Sequence, residues 1–358
     1  MYKRFCLLFC FVFSSIKTEI ILNKAFLHVG NSKDKLVFYF NENPKVNSTS
    51  SKLKNNIMEY RFLFPKIKIS TEANKMINRV KTKNNFYDLK ISKKLGDLEI
   101  KVIFNTKKVI DIEAYSFTAI TSAKGVSINI LHKPVSNKIS KKNVIIDMGH
   151  GGKDKGAVGK SGIQEKDITY KIGIDLYNLL KDQGFNVYLT RKKDVFVDLD
   201  KRTSFANSIP GNSIFISIHA NHSNNSNTCG IESYYLDYDL LRPIRLPLRL
   251  ANARSEVAQG DRGANDFLRP LNKSKILCEL LHSKLIDDLK NINNNIVDRK
   301  TKSSVSQVLL GTEMASVLIE VGFVSNKKEE KLLSSPEYIQ AIAKSLSEGI
   351  QSYFSTGS

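Results

Sequence analysis

The hydrophobic pattern divides the chain into two halves with different periodicities. Residues 20–132 contain short runs rich in β-branched and aromatic side chains, separated by polar gaps, which is the pattern of β-strands. The clearest runs are Lys35–Phe40, Tyr60–Phe64, Leu98–Phe104 and Val126–Ile130. A series of short strands of this kind predicts a small β-rich domain of the sandwich type.

Residues 143–354 alternate between apolar strands and amphipathic helices. The predicted strands are 143–148, 185–190, 213–219, 230–235, 306–310 and 315–320. The predicted helices are 165–182, 198–208, 273–290, 327–333 and 336–354. This alternation predicts an α/β fold with a mainly parallel sheet flanked by helices. Leu236–Asn272 interrupts the pattern as a long irregular segment with a candidate helix at Leu246–Glu256.

Three metal-ligating side chains stand at boundaries of these elements. His150 directly follows the first strand between two glycines, His219 ends the strand 213–219, and Glu165 opens the first helix. Because the carboxyl ends of parallel strands meet at one edge of a sheet, we expect these side chains to lie together. Two imidazoles and one carboxylate can supply three zinc ligands, with a fourth position left open for water.

A fourth candidate, Glu320, lies near the end of an apolar strand that begins at Ala315. Burial of a single carboxylate is unfavourable unless the group is paired, lies near a metal or stays protonated. Glu320 is therefore a candidate catalytic group.

The sequence motifs around these residues resemble those of a known family. The motifs are IIDMGHGGKDKGAVG, QEKD, LTR, SIHANHS and VLIEVGFVSN, in this order along residues 143–354. The region resembles the zinc-dependent N-acetylmuramoyl-L-alanine amidases of the type-3 family. The resemblance implies the zinc amidase fold, with His150, Glu165 and His219 as ligands of Zn²⁺ and Glu320 as the catalytic glutamate. Met148 and Lys155 depart from it, since the family commonly has proline at both positions.

The resemblance also implies a substrate and a cellular role. The expected reaction is hydrolysis of the amide bond between N-acetylmuramic acid and L-alanine in peptidoglycan, for cell-wall remodelling and daughter-cell separation. Two alternatives stay open: a non-catalytic peptidoglycan-binding protein, and a zinc peptidase that acts on the stem peptide.

Two further segments take their interpretation from the same family. Residues 20–132 are similar in general character to the AMIN domain that many of these amidases carry and that is thought to target the wall, although a purely structural domain fits equally well. Some members carry an insertion at the position of residues 236–272, whose helix blocks the zinc until an activator protein displaces it. Glu256 is then the candidate autoinhibitory carboxylate, and a solvated surface helix is the alternative.

Composition adds the location and the class of partner. The 358-residue chain has a formal net charge of +20, with lysine spread along most of its length. No arginine-rich helix or aromatic–lysine stripe marks a nucleic-acid surface, so we expect no nucleic-acid partner. The charge suits an anionic wall polymer or membrane surface, and a lysine-rich compositional bias explains it equally well.

Residues 1–18 have a basic start and a short apolar core, which predicts a signal peptide and a secreted, periplasmic protein. No other segment is apolar enough to predict a transmembrane span. Residues 133–142 form a polar, basic linker between the two halves. After signal removal Cys229 and Cys278 remain, and whether they pair stays open.

Overall fold

The structure is a computed structural model. It describes residues 19–29, 33–53, 57–80, 87–94, 96–105, 109–119, 123–132, 142–237, 240, 242–243 and 262–356. The predicted signal peptide, all but the last residue of the predicted linker, and the candidate helix Leu246–Glu256 lie outside these residues.

The first half is β-rich, as its pattern predicts. Its strands are β1 (Ile20–His28), β2 (Lys33–Phe40), β3 (Asn47–Lys52), β4 (Ile57–Phe64), β5 (Ile67–Ile69), β6 (Tyr87–Lys94), β7 (Asp97–Asn105), β8 (Val109–Thr118) and β9 (Lys124–His132), with one helix, α1 (Thr71–Val80). Two sheets, β8-β9-β2-β1-β5 and β3-β4-β7-β6, enclose one apolar core. Alternation explains the packing: every second residue of β4, such as Tyr60 and Phe62, points into that core.

The second half is an α/β unit. Its strands are β10 (Lys142–Met148), β11 (Asn186–Leu189), β12 (Asn212–Asn221), β13 (Ile231–Tyr235), β14 (Arg242–Pro243), β15 (Asp298–Ser303) and β16 (Ala315–Phe323). Its helices are α2 (Glu165–Asp182), α3 (Leu199–Asn207), α4 (Arg262–Lys290), α5 (Gln307–Gly311), α6 (Lys327–Leu333) and α7 (Pro336–Ser355).

The sheet of this unit has the order β11-β10-β12-β16-β13-β15. Strands β10, β11, β12 and β16 run parallel, β13 runs antiparallel to β16, and β15 runs parallel to β13. The prediction of a mainly parallel sheet flanked by helices is therefore confirmed. The short strand β14 leaves this unit and pairs with β8 of the first half.

The two faces of the α/β sheet are covered differently. On one face Ile146, Ile216 and Val317 pack with α2, α4 and α7 in a large apolar cluster. On the other face Ile145, Phe215 and Leu318 belong to a third cluster, which also contains side chains of the first half. Those side chains are Phe26, Val37, Tyr39, Tyr115 and Phe117. The two halves therefore share an apolar core.

Polar contacts accompany this shared core. His28 Nδ1 lies 2.5 Å from Thr203 Oγ1 of α3, and Asn207 Nδ2 donates to the carbonyl of Val29. The ammonium of the buried Lys35 donates to the carbonyl oxygens of Leu310 and Thr312. Because buried polar groups are costly when they lose their partners, these contacts fix how the halves fit together.

His28 makes this contact sensitive to pH. Burial, together with the positive charge of Lys35, lowers the pKa of His28 to about 3. The unfolded chain binds this proton below its ordinary pKa of about 6.5 and the folded chain does not, so stability falls as the pH drops from 6.5 towards 3. We expect His28→Gln to lose this pH dependence. Between pH 7 and pH 4.5 the free energy of unfolding of the parent should therefore fall by about 2–3 kcal/mol more than that of the variant.

Urea denaturation at the two pH values measures this difference. His222→Gln is the control, since His222 is exposed and should leave the pH dependence unchanged. A parent–variant difference that stays the same at both pH values would contradict the buried, neutral state of His28.

Several predicted elements are wrong or incomplete. Ser306–Leu310 is not a strand, because Ser306 caps α5 by accepting a hydrogen bond from the amide of Leu309. Strand β15 has no counterpart among the predicted elements. Helix α4 begins at Arg262, so the last part of the segment predicted to be irregular is helical.

Two smaller findings concern cysteines and membranes. Cys229 and Cys278 are both free thiols, Cys278 being buried, so no bridge joins them. Among the described residues, none of the helices combines the length and the apolar character needed to cross a membrane.

Candidate metal and catalytic site

Three of the predicted residues meet at one edge of the α/β sheet. His150 follows β10, His219 lies on the neighbouring β12, and Glu165 is the first residue of α2. One ligand atom from each lies within 4.8 Å of the others, so the three side chains could hold a metal ion. His150 Nε2 is 3.0 Å from Glu165 Oε2, and His219 Nδ1 is 2.9 Å from Glu165 Oε1.

The backbone orients the Glu165 carboxylate. The amide of Ala157 donates to Oε2 at 2.8 Å and the amide of Ala220 donates to Oε1 at 3.0 Å. Burial alone would raise the pKa of Glu165, but the hydrogen bonds and charges of the two histidines hold it well below its ordinary value. The carboxylate is therefore ionised and fixed in direction before any metal binds.

Glycines leave room for the three side chains. A Cβ on Gly149 would lie 2.5 Å from the His219 ring, and a Cβ on Gly156 would lie 2.5 Å from Glu165 Oε2. His150 itself has φ of 62°, a conformation that is rare outside glycine and often found at functional sites.

Two buried arginines hold the backbone around His150. Arg202 pairs with Asp147 at 2.9 Å and donates to the carbonyls of Met148 and His150 at 2.7 and 2.8 Å. Arg191 donates from Nε to the carbonyl of Met148 at 3.0 Å and from Nη2 to that of Gly149 at 3.3 Å. These bonds explain how the strained His150 keeps its place.

Glu320 lies on β16, beside His219 in the parallel register. Burial raises the pKa of Glu320 to about 7, and the nearby carboxylates of Glu165 and Glu232 contribute to the rise. Its Oε2 is buried without a hydrogen-bond partner among the described residues. A carboxyl group with a pKa near neutrality beside a ligand cluster can take up and release a proton during catalysis.

The charges of the histidines depend on the same carboxylate. Burial lowers the pKa of His219, but the hydrogen bond and charge of Glu165 outweigh it and raise the pKa to about 9. His150 shows the same direction, with Asp154 Oδ2 2.9 Å from its Nδ1 as a further contributor. The donor set of two imidazoles and one ionised carboxylate fits Zn²⁺.

Glu232, which is not among the residues predicted from the sequence, lies opposite Glu320 on β13. The sequence pattern could have identified Glu232, because it is a single carboxylate within a predicted strand, as Glu320 is. The candidate autoinhibitory Glu256 lies outside the described residues.

A second arrangement resembles a hydrolytic triad but serves packing. Ser233 Oγ is 2.9 Å from His282 Nδ1, and His282 Nε2 is 2.9 Å from Asp298 Oδ1. Ser233 is completely buried beneath α4, so a substrate cannot reach its hydroxyl. The three side chains satisfy one another and join α4 to β13 and β15.

Comparisons with known proteins identify the family of the α/β half. Residues 144–352, more than half of the chain, match the family described as N-acetylmuramoyl-L-alanine amidase. The amidase AmiC of Neisseria meningitidis is 29% identical over 221 residues, which is 60% of this chain and 53% of that protein. The chain thus spans about half the length of this relative.

Two further matches have similar extents. The amidase AmiA of Escherichia coli is 29% identical over 235 residues, covering 62% of this chain and 80% of that protein. Among solved structures, the amidase AmiC2 of Nostoc punctiforme superposes with a TM-score of 0.48 at 28% identity, covering 60% of this chain and 98% of that one.

Proposed function

Since the chain belongs to the N-acetylmuramoyl-L-alanine amidase family, we propose that it hydrolyses the amide between N-acetylmuramic acid and L-alanine of peptidoglycan. The observation that carries the proposal is the convergence of His150, Glu165 and His219 beside Glu320. These three residues would hold Zn²⁺, and Glu320 would act as the catalytic glutamate.

The residues of this chain divide the chemistry between them. When bound, Zn²⁺ supplies a Lewis acid that polarises the amide carbonyl and makes water more acidic. Glu320 accepts the proton of the attacking water and passes it to the nitrogen of the leaving L-alanine. The amide groups of Ala157 and Ala220 orient the Glu165 carboxylate, and the two histidines keep it ionised.

Digestion of purified peptidoglycan tests the proposed reaction. Mass spectrometry of the soluble products should find complete stem peptides that begin with a free L-alanine amine. Shortened stem peptides would support the rival zinc peptidase. Binding of the wall without any soluble product would support the non-catalytic rival.

Removal of single ligands tests the metal assignment. We expect His150→Ala and His219→Ala to lose zinc, because two remaining side chains do not form a site with three protein ligands. Metal analysis of the purified variants measures the loss, and circular dichroism checks that the fold is kept. His222→Ala is the control, with a histidine removed from an exposed position nearby. Full zinc occupancy in both ligand variants would overturn the assignment.

The cellular role extends the same proposal. A secreted, periplasmic amidase would act in wall remodelling and daughter-cell separation, with residues 1–18 as its signal peptide and 20–132 as an AMIN-like domain. The excess of positive charge supports attraction to an anionic wall polymer.

Regulation by residues 236–272 is also part of the proposal. An activator protein would act on this segment, and Glu256 would occupy the metal's open position until it is displaced. We expect Glu256→Gln to raise the basal rate on purified peptidoglycan without raising zinc content. Glu279→Gln is a comparison on helix α4, where a carboxylate is lost outside the segment. An unchanged basal rate in a folded, zinc-loaded Glu256→Gln variant would remove the autoinhibitory role.

A further inference from the structure

A second polar cluster adjoins Glu320 at the same edge of the sheet. Its centre is Glu232, which is 3% exposed and lies directly opposite Glu320 in the antiparallel pair of β13 and β16. Residues directly opposite each other on neighbouring strands share a face of the sheet. The Glu232 carboxylate accepts hydrogen bonds from Asn221, Tyr234, Arg299 and Lys302. The Glu232 cluster therefore lies on the same face of the sheet as Glu320.

Within this cluster Arg299 reaches from the edge strand β15 towards β16. A Cβ on Gly230 would lie 3.0 Å from Arg299 Cγ, so glycine at this position leaves a path for the arginine stem. The guanidinium then lies over the ring of Phe323, with its carbon 5.1 Å from the ring centroid. Arg299 Nε also donates to Glu232, the residue directly opposite Glu320, so the cation is separated from the candidate catalytic residue by one carboxylate side chain.

Hydrogen bonds fix the residues that surround the Arg299 guanidinium. Glu329 accepts the amide of Gly230 at 2.8 Å and the amide of Phe323 at 2.7 Å, which ties together the two residues that Arg299 crosses and stacks upon. Arg299 Nε donates to Glu232 Oε2 at 2.9 Å, which fixes the plane of the guanidinium. A planar cation held by a stacking ring and one hydrogen bond loses little freedom when it binds a ligand.

The outer edge of the guanidinium remains available. Among the described residues, no acceptor bonds either terminal nitrogen of Arg299, and its side chain is 33% exposed. The two terminal N–H groups of an arginine match the spacing of a carboxylate, and such bonds are stronger than bonds between neutral groups. A buried structural arginine would instead have these nitrogens satisfied by the protein, as Arg202 has.

We propose that Arg299 binds the stem-peptide carboxylate nearest to the cleaved amide and so makes the enzyme selective for acidic stem peptides. This inference rests on the proposed function. Neighbouring strands lie about 4.8 Å apart, so the start of β13 is one strand spacing from Glu320. An extended peptide advances about 3.3 Å per residue, which brings the carboxylate of the second residue within reach of the guanidinium.

A matched pair of substrates tests the proposal. Both are N-acetylmuramoyl tripeptides with L-alanine first, D-glutamate second and an amidated C-terminus, and they differ only in whether the α-carboxylate of the glutamate is free or amidated. We expect Arg299→Met to lose about 10- to 100-fold in kcat/KM on the acidic substrate, mainly through KM, and to change little on the amidated one. Arg299→Lys should recover part of the loss, because the charge returns without the planar fork.

Lys300→Met is the control variant. It removes one positive charge from the same strand, and Lys300 is 76% exposed. We expect the kcat/KM of Lys300→Met on each of the two substrates to equal that of the parent. Thermal melting and zinc content confirm that each variant is folded and loaded.

Equal losses on both substrates, or no loss on either, would overturn the role of Arg299. Failure of the proposed function gives a different result, since the parent would then leave the bond between muramic acid and L-alanine intact in both tripeptides. In that case isothermal titration calorimetry tests the role of Arg299, by measuring the affinity of the parent and of Arg299→Met for each tripeptide. A preference of the parent for the free carboxylate that vanishes in Arg299→Met supports the proposal, and equal affinities for both peptides contradict it.

Discussion

Glu320→Gln is expected to lower the rate of peptidoglycan hydrolysis by about 10²- to 10⁴-fold while zinc remains bound. This is the range that a general base contributes to catalysis. The substitution is nearly isosteric, and Glu320 is not among the three side chains whose ligand atoms cluster. The loss should therefore fall on kcat, because the missing proton transfer belongs to the transition state.

Dye release from labelled peptidoglycan measures the rate, and metal analysis measures zinc. Glu313→Gln is the matched control, since it removes a carboxylate just before the same strand β16. Hydrolysis at the parent rate by a zinc-loaded Glu320→Gln variant would show that Glu320 is structural.

Arg202→Met is expected to lower the free energy of unfolding by about 3–5 kcal/mol. Arg202 and Asp147 are 2% and 1% exposed, so removal of the guanidinium leaves a buried, unpaired carboxylate. The hydrogen bonds that Arg202 donates to the carbonyls of Met148 and His150 are lost as well. Urea denaturation of the metal-free protein measures the change without a contribution from metal binding.

Lys201→Met is the control on the same helix. Lys201 is 72% exposed and lies 3.4 Å from Asp198, an exposed pair of the kind that contributes about 0–1 kcal/mol. The double variant Arg202→Met, Asp147→Asn should recover part of the loss, because the buried charge is then removed. Equal stabilities of Arg202→Met and Lys201→Met would show that the buried pair does not hold the His150 loop.

The candidate metal ligands could be predicted because each stands where a strand ends or a helix begins. Such positions are set by local pattern, and the parallel arrangement brings them to one edge without further information. The same logic found Glu320 on an apolar strand. It also explains why the core of the α/β sheet matches the predicted strands, since buried parallel strands are long apolar runs.

Elements without an apolar pattern could not be found in this way. Strand β15 has the sequence DRKTKS and lies at the edge of the sheet, where one neighbour suffices and polar side chains face solvent. Arg299 therefore remained unassigned, although it lies beside the site. The short apolar run around Val308 fits a strand and a helix equally well. The N-cap hydrogen bond of Ser306 favours the helix.

The contact between the two halves depends on tertiary structure alone. Phe26 and Tyr39 look like ordinary strand residues, and their partners on the α/β sheet lie far away in sequence. His28 has no neighbour at ligand spacing, and its contact with Thr203 appears only once β1 packs against α3. A basic linker indicates where two patterns change, but it does not indicate whether the two units share a core.

Hydrolysis in water enriched in ¹⁸O identifies the bond that the enzyme cleaves, because the labelled oxygen enters the acyl side of that bond. We expect mass spectrometry to find the label in the lactyl carboxylate of N-acetylmuramic acid, and the released peptide to be unlabelled and to begin with L-alanine. Label in a carboxylate of the peptide, with L-alanine still joined to muramic acid, would contradict this expectation.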